Sequence, residues 1–282
     1  MDTPVQDSEA RRAAREAARD AKMLERARES EREALAELAE IEAGEFGFLV
    51  KYEKREDTDP VETELSQEFW EVLGSIELSD EEHVRERRFV LKVCEALSKH
   101  KDDDLINILW DIDDTMGQND KNYDFIFRPT FLPMLELIKS RYQNAQHGLL
   151  TDRKNWESPG NKEIIDTINE RWELSKDLLM SSQRNIPAEL RSAMLDTRSA
   201  AEDLMVAADD LLPELEAQEE ADRLMGLLGS ISESQAGKMV ALHNAGMLES
   251  DSIIVVDDYE LPLYLGDRGV YVDMSARAKL DE

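Results

Sequence analysis

Residues 105–115 read LINILWDIDDT. The run is too short for an ordinary helix, and its apolar residues do not alternate with polar ones. It therefore reads as a strand buried on both faces, ending in Asp111, Asp113 and Asp114. Outward from it, residues 147–150 form a second short apolar run, ending in Thr151-Asp152-Arg153. Residues 178–180 supply a third candidate strand. Residues 252–256, SIIVV, are the most β-rich stretch of the chain and run into Asp257-Asp258; residues 270–272 add a last candidate. Helical patterns fall between these runs. One covers 130–142 after Arg128-Pro129, one starts at Asn161 and carries Ile164, Ile165, Ile168 and Trp172, and one covers 231–246. Short apolar strands alternating with helices predict an α/β fold, a three-layer Rossmann-like parallel sheet.

Composition bounds the rest. The chain has 282 residues, with 34 Lys plus Arg against 64 Asp plus Glu, a formal net charge of −30. A surface this acidic argues against general binding to nucleic acid or to anionic membranes. Hydrophobic residues at 41% leave room for a packed core beside the 35% that are charged. Cys94 is the single cysteine, so no disulfide within the chain and no Cys/His zinc cluster can form. Its place in an apolar pattern reads as a buried small residue rather than a nucleophile. His83, His100, His147 and His243 have no metal-ligand spacing and read as surface or helix histidines. No apolar run reaches the roughly 18 residues of a membrane span, and the charged start lacks a signal-peptide core. A cytoplasmic protein is expected.

Residues 1–43 are dominated by Ala, Arg and Glu and predict a helix. Its best heptad seam passes through Ala10, Ala13, Ala17, Asp20, Leu24, Ala27, Glu31, Ala34, Leu38 and Ile41, dominated by alanine and broken at Asp20 and Glu31, so it is a poor coiled coil. It reads as a solvated helix or, more pointedly, as a docking arm for a protein partner. Residues 46–52 predict a short strand and residues 53–60 a loop. Two helical stretches follow, the second opened by a capping box at Ser79 and Glu82. The expected division is a charged arm over 1–43, a mainly helical region over 44–100, and a catalytic core over 101–282. Within that core, residues 187–228 form a helical insertion with a heptad row through Leu190, Met194, Thr197, Ala201, Leu204, Ala208, Leu211 and Leu215, interrupted at Pro213.

The acids at the strand ends carry the chemistry. In open α/β sheets, ligands bind beyond the carboxyl ends of the strands. Asp111, Asp113 and Asp114 end one predicted strand there, and Asp257 and Asp258 end another. Carboxylates gathered at one edge repel each other unless a divalent cation neutralises them, and hard oxygen donors suit Mg²⁺. Any one of these signals alone is weak: Asp-Asp after a strand is ordinarily a turn or a helix cap.

Taken together, the motifs resemble those of the haloacid dehalogenase superfamily. Asp111-Ile112-Asp113-Asp114-Thr115 is similar to its D-x-D-x-[TV] signature. Thr151 stands where the second-motif hydroxyl is expected, Lys238 where the third-motif lysine is, and Asp257-Asp258 where the acidic fourth motif is. The resemblance covers roughly residues 105–273 and leaves the first hundred or so outside it. It implies that Asp111 is the nucleophile and forms an aspartyl phosphate. Asp113 would be the general acid and then the base. Thr151 and Lys238 would hold the phosphoryl group. Asp111, Asp257, the main-chain carbonyl of Asp113 and, directly or through water, Asp258 would hold Mg²⁺. Asp114 is left outside the site. Arg153 and Lys154 are tentative contacts to substrate anions; Arg128 is a further candidate for the same, with a structural role favoured.

Asp111 to Thr151 spans 40 positions, which a flap and a crossover helix would fill in this family, so the cap is expected in 187–228. The expected activity is a Mg²⁺-dependent phosphatase acting on a phosphomonoester, a small molecule before a macromolecule, with nucleic acid disfavoured. Two alternatives stay open: a non-catalytic interaction protein using its charged helices, and a phosphatase with a macromolecular substrate.

Overall fold

The computed structural model describes residues 4–50, 59–74, 78–153, 156–181, 188–211, 222–223, 233–248, 252–259 and 270–274. In chain order the elements are α1 (Pro4–Ala43), a 3-10 turn (Gly47–Val50), α2 (Glu64–Leu73), α3 (Asp80–Leu97), β1 (Asn107–Trp110), β2 (Gly117–Asn119), β3 (Phe125–Phe127), α4 (Phe131–Arg141), β4 (Gln146–Thr151), α5 (Pro159–Asn169), β5 (Leu174–Ser181), α6 (Ala188–Leu211), α7 (Glu233–Asn244), β6 (Ile253–Asp257) and β7 (Val270–Asp273). Two compact units result. Met1–Tyr52 joins Pro187–Ile231 in one; Glu53–Ile186 joins Ser232–Glu282 in the other.

The larger unit is α/β. Its five-stranded sheet has the order β5-β4-β1-β6-β7, and every neighbouring pair is parallel. This is the doubly wound, Rossmann-like arrangement expected from the alternating pattern. Ile108, Leu109 and Trp110 of β1 are all buried, as are all five residues of β6. Successive strand residues point to opposite faces, so both faces of the sheet are covered. Residues of α3, α4 and α5 complete the core, among them Phe89, Phe131, Met134, Ile138 and Ile164. The capping box at Ser79 and Glu82 forms as read, and α2 has a second one at Thr63 and Ser66. Cys94 is buried, which pushes its thiol up to about 12.

Two histidines depart from expectation. His147 sits fully buried in β4, where its Nδ1 accepts a 2.9 Å hydrogen bond from Trp110 Nε1 and its ring stands 4.0 Å from that of Trp172. Burial pushes its pKa down to about 3, so it is a neutral core side chain. His100 is also buried, just beyond α3. Between β1 and α4 a two-stranded antiparallel hairpin, β2–β3, fills the space allotted to a flap. Asp120 closes its turn, accepting from the amides of Asn122 at 2.7 Å and Asp124 at 2.9 Å.

The smaller unit is helical. Along α1 and α6, which pack on each other, Ala27, Ala34 and Leu38 are buried on one helix and Leu190, Thr197, Ala200, Ala201 and Leu204 on the other. The heptad rows are thus packed faces in their described parts: one stripe of the second half of α1 is covered by α6, while most of its other residues stay exposed, as a solvated helix would have them. Ala208 and Leu211 lie in α6, but their burial is not described; Pro213 and Leu215 fall outside the described residues, as do residues 53–58 of the predicted loop. The predicted strand at 46–52 is instead the 3-10 turn Gly47–Val50. Its amides are satisfied locally, Gly47 N to Gly44 O at 3.1 Å and Leu49 N to Phe46 O at 2.9 Å. Phe48 and Leu49 are buried, and a Cβ at Gly47 would overlap the Glu42 carbonyl. A four-residue apolar run carries no period by which the sequence separates a strand from a helical turn.

Candidate functional site: an acidic centre at the strand ends

Strand register brings the acids together. Trp110 pairs with Val256 in the β1–β6 ladder, and the Asp111 amide continues it by donating to Val256 O at 2.9 Å. Asp111 and Asp257 therefore follow one another across two neighbouring strands at the carboxyl edge of the sheet. Carboxylate oxygens of Asp111, Asp257 and Asp258 all lie within 4.8 Å of one another. Asp111 and Asp257 are buried and Asp258 is half-buried. Three hard oxygen donors converging in this way fit a divalent cation such as Mg²⁺.

Lys238 reaches the centre from α7. Its Nζ donates to Asp111 Oδ1 at 3.0 Å and to Asp257 Oδ2 at 2.7 Å, with all three side chains at least nine-tenths buried. Burial pulls the lysine pKa down, but the two carboxylates outweigh it and hold it above its ordinary value. One cation does not balance three carboxylates. Burial first, then the charge of Asp257, pushes Asp111 up to about 7 despite Lys238. Asp258 is raised for the same two reasons in the same order. Asp257 is further held by the Tyr259 amide, which donates to its Oδ1 at 3.0 Å.

Asp113 is placed differently. Its carboxylate is half exposed and is gripped by Arg153, whose Nε lies 2.9 Å from Oδ2 and Nη2 2.5 Å from Oδ1. It does not join the three converging acids; the resemblance asks only its main-chain carbonyl to face a metal. The same guanidinium donates Nη1 to Asn161 Oδ1 at 3.0 Å and lies 5.3 Å from the Phe125 ring of the hairpin. Arg153, expected to meet substrate, is thus already committed to Asp113. Asn161 was legible only as a helix start, and nothing in the sequence marked it as a partner of Arg153. Lys154 falls outside the described residues.

Thr151 ends β4 and is buried, its Oγ1 3.4 Å from the Arg153 amide. Asp114 follows with φ of 57°, a left-handed conformation that Asp tolerates better than most residues, and its side chain is exposed. Arg128 has the structural setting expected of it: buried, over the Phe89 ring at 4.5 Å, donating Nη2 to Asp114 O at 3.1 Å. Sequence reading missed the buried Glu86 beneath it, which accepts a short hydrogen bond from Thr130 Oγ1.

The geometry defines a class of site: an acidic cluster at the carboxyl edge of a Rossmann-like parallel sheet, with one lysine inside it. No protein-family model, curated protein or solved structure matches the chain. Among the described residues, no helix is long and apolar enough to cross a membrane.

Proposed function

We propose that the chain is a Mg²⁺-dependent phosphatase of the haloacid dehalogenase type, hydrolysing a phosphomonoester through an aspartyl phosphate on Asp111. One observation carries the reading: Asp111, Asp257 and Asp258 converge with Lys238 at the carboxyl edge of adjacent parallel strands. An acidic cluster alone is common, but a buried lysine shared by two of its members, beside a threonine at the end of the neighbouring strand, is the arrangement phosphoryl transfer needs.

In this reading Asp111 attacks phosphorus, an O–P bond forms to its carboxylate, and the bond to the leaving oxygen breaks. Asp113 gives the leaving oxygen its proton. Water, deprotonated by Asp113, then attacks phosphorus, releasing inorganic phosphate and returning Asp111 to a free carboxylate. Lys238 and Thr151 hold the phosphoryl oxygens. Bound Mg²⁺ would supply the charge neutralisation that lets one anion approach another, held by Asp111, Asp257 and Asp258 with the Asp113 carbonyl. Arg153 keeps Asp113 oriented and must share it when the leaving group arrives.

The test is a phosphoester panel with Mg²⁺, with EDTA, and with D111N, beside beryllofluoride uptake as a readout of the acyl-phosphate geometry. Turnover and uptake by the wild type, both lost in D111N and in EDTA, are expected. Full turnover by D111N would overturn the assignment. The second reading, an interaction protein with an inert core, draws on the separate helical unit of α1 and α6. It predicts no turnover and no beryllofluoride uptake at all.

A further inference from the structure

A cleft of about 650 Å³ opens beside the acidic centre, between α3, the β2–β3 hairpin and the turn after β6, with Asp258 common to both. Its volume is that of a small-molecule site. Phe127 and Tyr259 give it apolar walls, and Arg85 and Arg128 give it cations. Arg128 is the unusual member. Its side chain is only 6% exposed, yet its Nε and Nη1 hydrogens meet no acceptor, and Glu86 Oε1 lies 4.0 Å from Nε. The same Glu86 oxygen is 3.4 Å from Arg85 Nε, so two guanidinium groups lean on one carboxylate.

The acids of the cleft are, by contrast, mostly engaged. Glu82 accepts from the Ser79 amide at 2.9 Å and hydroxyl at 2.7 Å, closing the start of α3. Asp120 is held by the hairpin turn. Asp258 belongs to the three converging acids proposed to hold the metal. Asp114 is the remaining acid, and it is exposed. Glu86 Oε1 and exposed Asp114 keep acceptor capacity there, but the unpartnered buried donors of the cleft are those of Arg128. A buried donor without an acceptor is costly unless something fills it, and a planar guanidinium is suited to a carboxylate or phosphate.

We propose that this cleft is the leaving-group subsite, and that the substrate is a small phosphomonoester whose retained part carries a second oxyanion, carboxylate or phosphate, bound by Arg128 with Arg85. The proposal rests on the phosphatase reading for what happens at Asp111, but the subsite is built from α3 and the hairpin. It gives α3, which lies outside the family resemblance, a part in specificity.

The experiment compares, with Mg²⁺, a three-carbon phosphomonoester with its carboxylated counterpart and with its bisphosphate, in wild type, R85Q and R128K. The second anion is expected to raise kcat/KM roughly tenfold or more, mainly through KM, and both variants to shrink that ratio several-fold. Carboxylate and bisphosphate arms show which oxyanion is preferred. A parallel titration measures binding of phosphonoacetate against methylphosphonate. R128K removes a buried guanidinium and can perturb folding, so the half-exposed Arg85 keeps the question decidable. A ratio near one in the wild type, or one unchanged in R85Q, overturns the subsite while leaving hydrolysis standing. Arginine-dependent preference for phosphonoacetate without turnover of any ester overturns hydrolysis and leaves the subsite standing.

Discussion

Replacing Asp111 by Asn should stabilise the metal-free protein at alkaline pH, although it removes the proposed nucleophile. Asp111 is buried beside Asp257, and its pKa is pushed from 3.8 up to about 7. A folded carboxyl that holds its proton more tightly than the unfolded chain does makes the folded state the better proton binder between those two values. Stability conferred by the protonated form is therefore complete at low pH and falls as pH rises through the window from about 4 to about 7. A tenfold change in proton affinity is worth about 1.4 kcal/mol, so the roughly thousandfold change at Asp111 is worth about 4 kcal/mol. Asn imitates the neutral acid and does not titrate. In EDTA, wild type and D111N should melt together only at about pH 4 and below, where the carboxyl is protonated in both states. By about pH 8, D111N should melt higher by roughly 8–16 °C, given about 2–4 °C per kcal/mol for a unit of this size. Thermal unfolding followed by circular dichroism measures both. The comparison removes the general repulsion of a chain with a net charge of −30, because both proteins share it. Excess Mg²⁺ should invert the order, since a cation binds the deprotonated cluster and D111N has lost one donor. A D111N protein less stable than wild type at about pH 8 in EDTA, or a gap that ignores pH, would refute the charge account of the centre.

Three further outcomes are expected. K238M leaves two buried carboxylates without their cation and should cost the metal-free fold about 3–5 kcal/mol in urea unfolding, with Mg²⁺ restoring more stability to it than to wild type. G148A should cost at least about 2 kcal/mol: the new Cβ would overlap the Leu178 Cβ and carbonyl and fall 2.8 Å from Leu109 Cδ2, where β4 and β5 shift register. R153M should lower kcat by roughly ten- to a hundredfold through a misplaced Asp113, while the Mg²⁺ concentration giving half-maximal activity stays put, because Arg153 grips Asp113 and not the three converging acids.

How far the sequence reveals this molecule depends on what each residue's signal is made of. The sheet is legible because a strand covered on both faces must be apolar throughout, and residues 108–110 and 253–256 satisfy that without context. The centre is legible because acids at strand ends share an edge whatever the loops do. The β2–β3 hairpin is not legible: Gly117–Asn119 is three residues long with a polar pair, and the side chain of Asp120 makes its turn. His147 looks like a surface residue because only the fold reveals that Trp110 donates to it. The heptad rows of α1 and α6 are visible singly, but nothing in either row says that the other, well over a hundred positions away, is its partner. The Arg153–Asp113 pair fails for the same reason: side-chain pairing across 40 positions has no local period.

The closeness of Asp111 and Asp257 deserves a cause of its own, because it is a backbone fact before it is a side-chain one. Parallel neighbours run about 4.8 Å apart, and the Trp110–Val256 register makes the next residue on each strand an acid. No rotamer choice removes both carboxylates from that edge while the ladder continues through the Asp111 amide. A chain selected for stability alone would place a neutral side chain at one of the two positions, and here a third acid, Asp258, follows instead. Local rules broken at one place, in a fold that obeys them elsewhere, mark a functional compromise. Lys238 relieves only part of the repulsion, and the metal proposed for the site would relieve the rest. The instability predicted for the metal-free protein and the metal site proposed for the enzyme are therefore one electrostatic arrangement, and neither can be engineered away without the other.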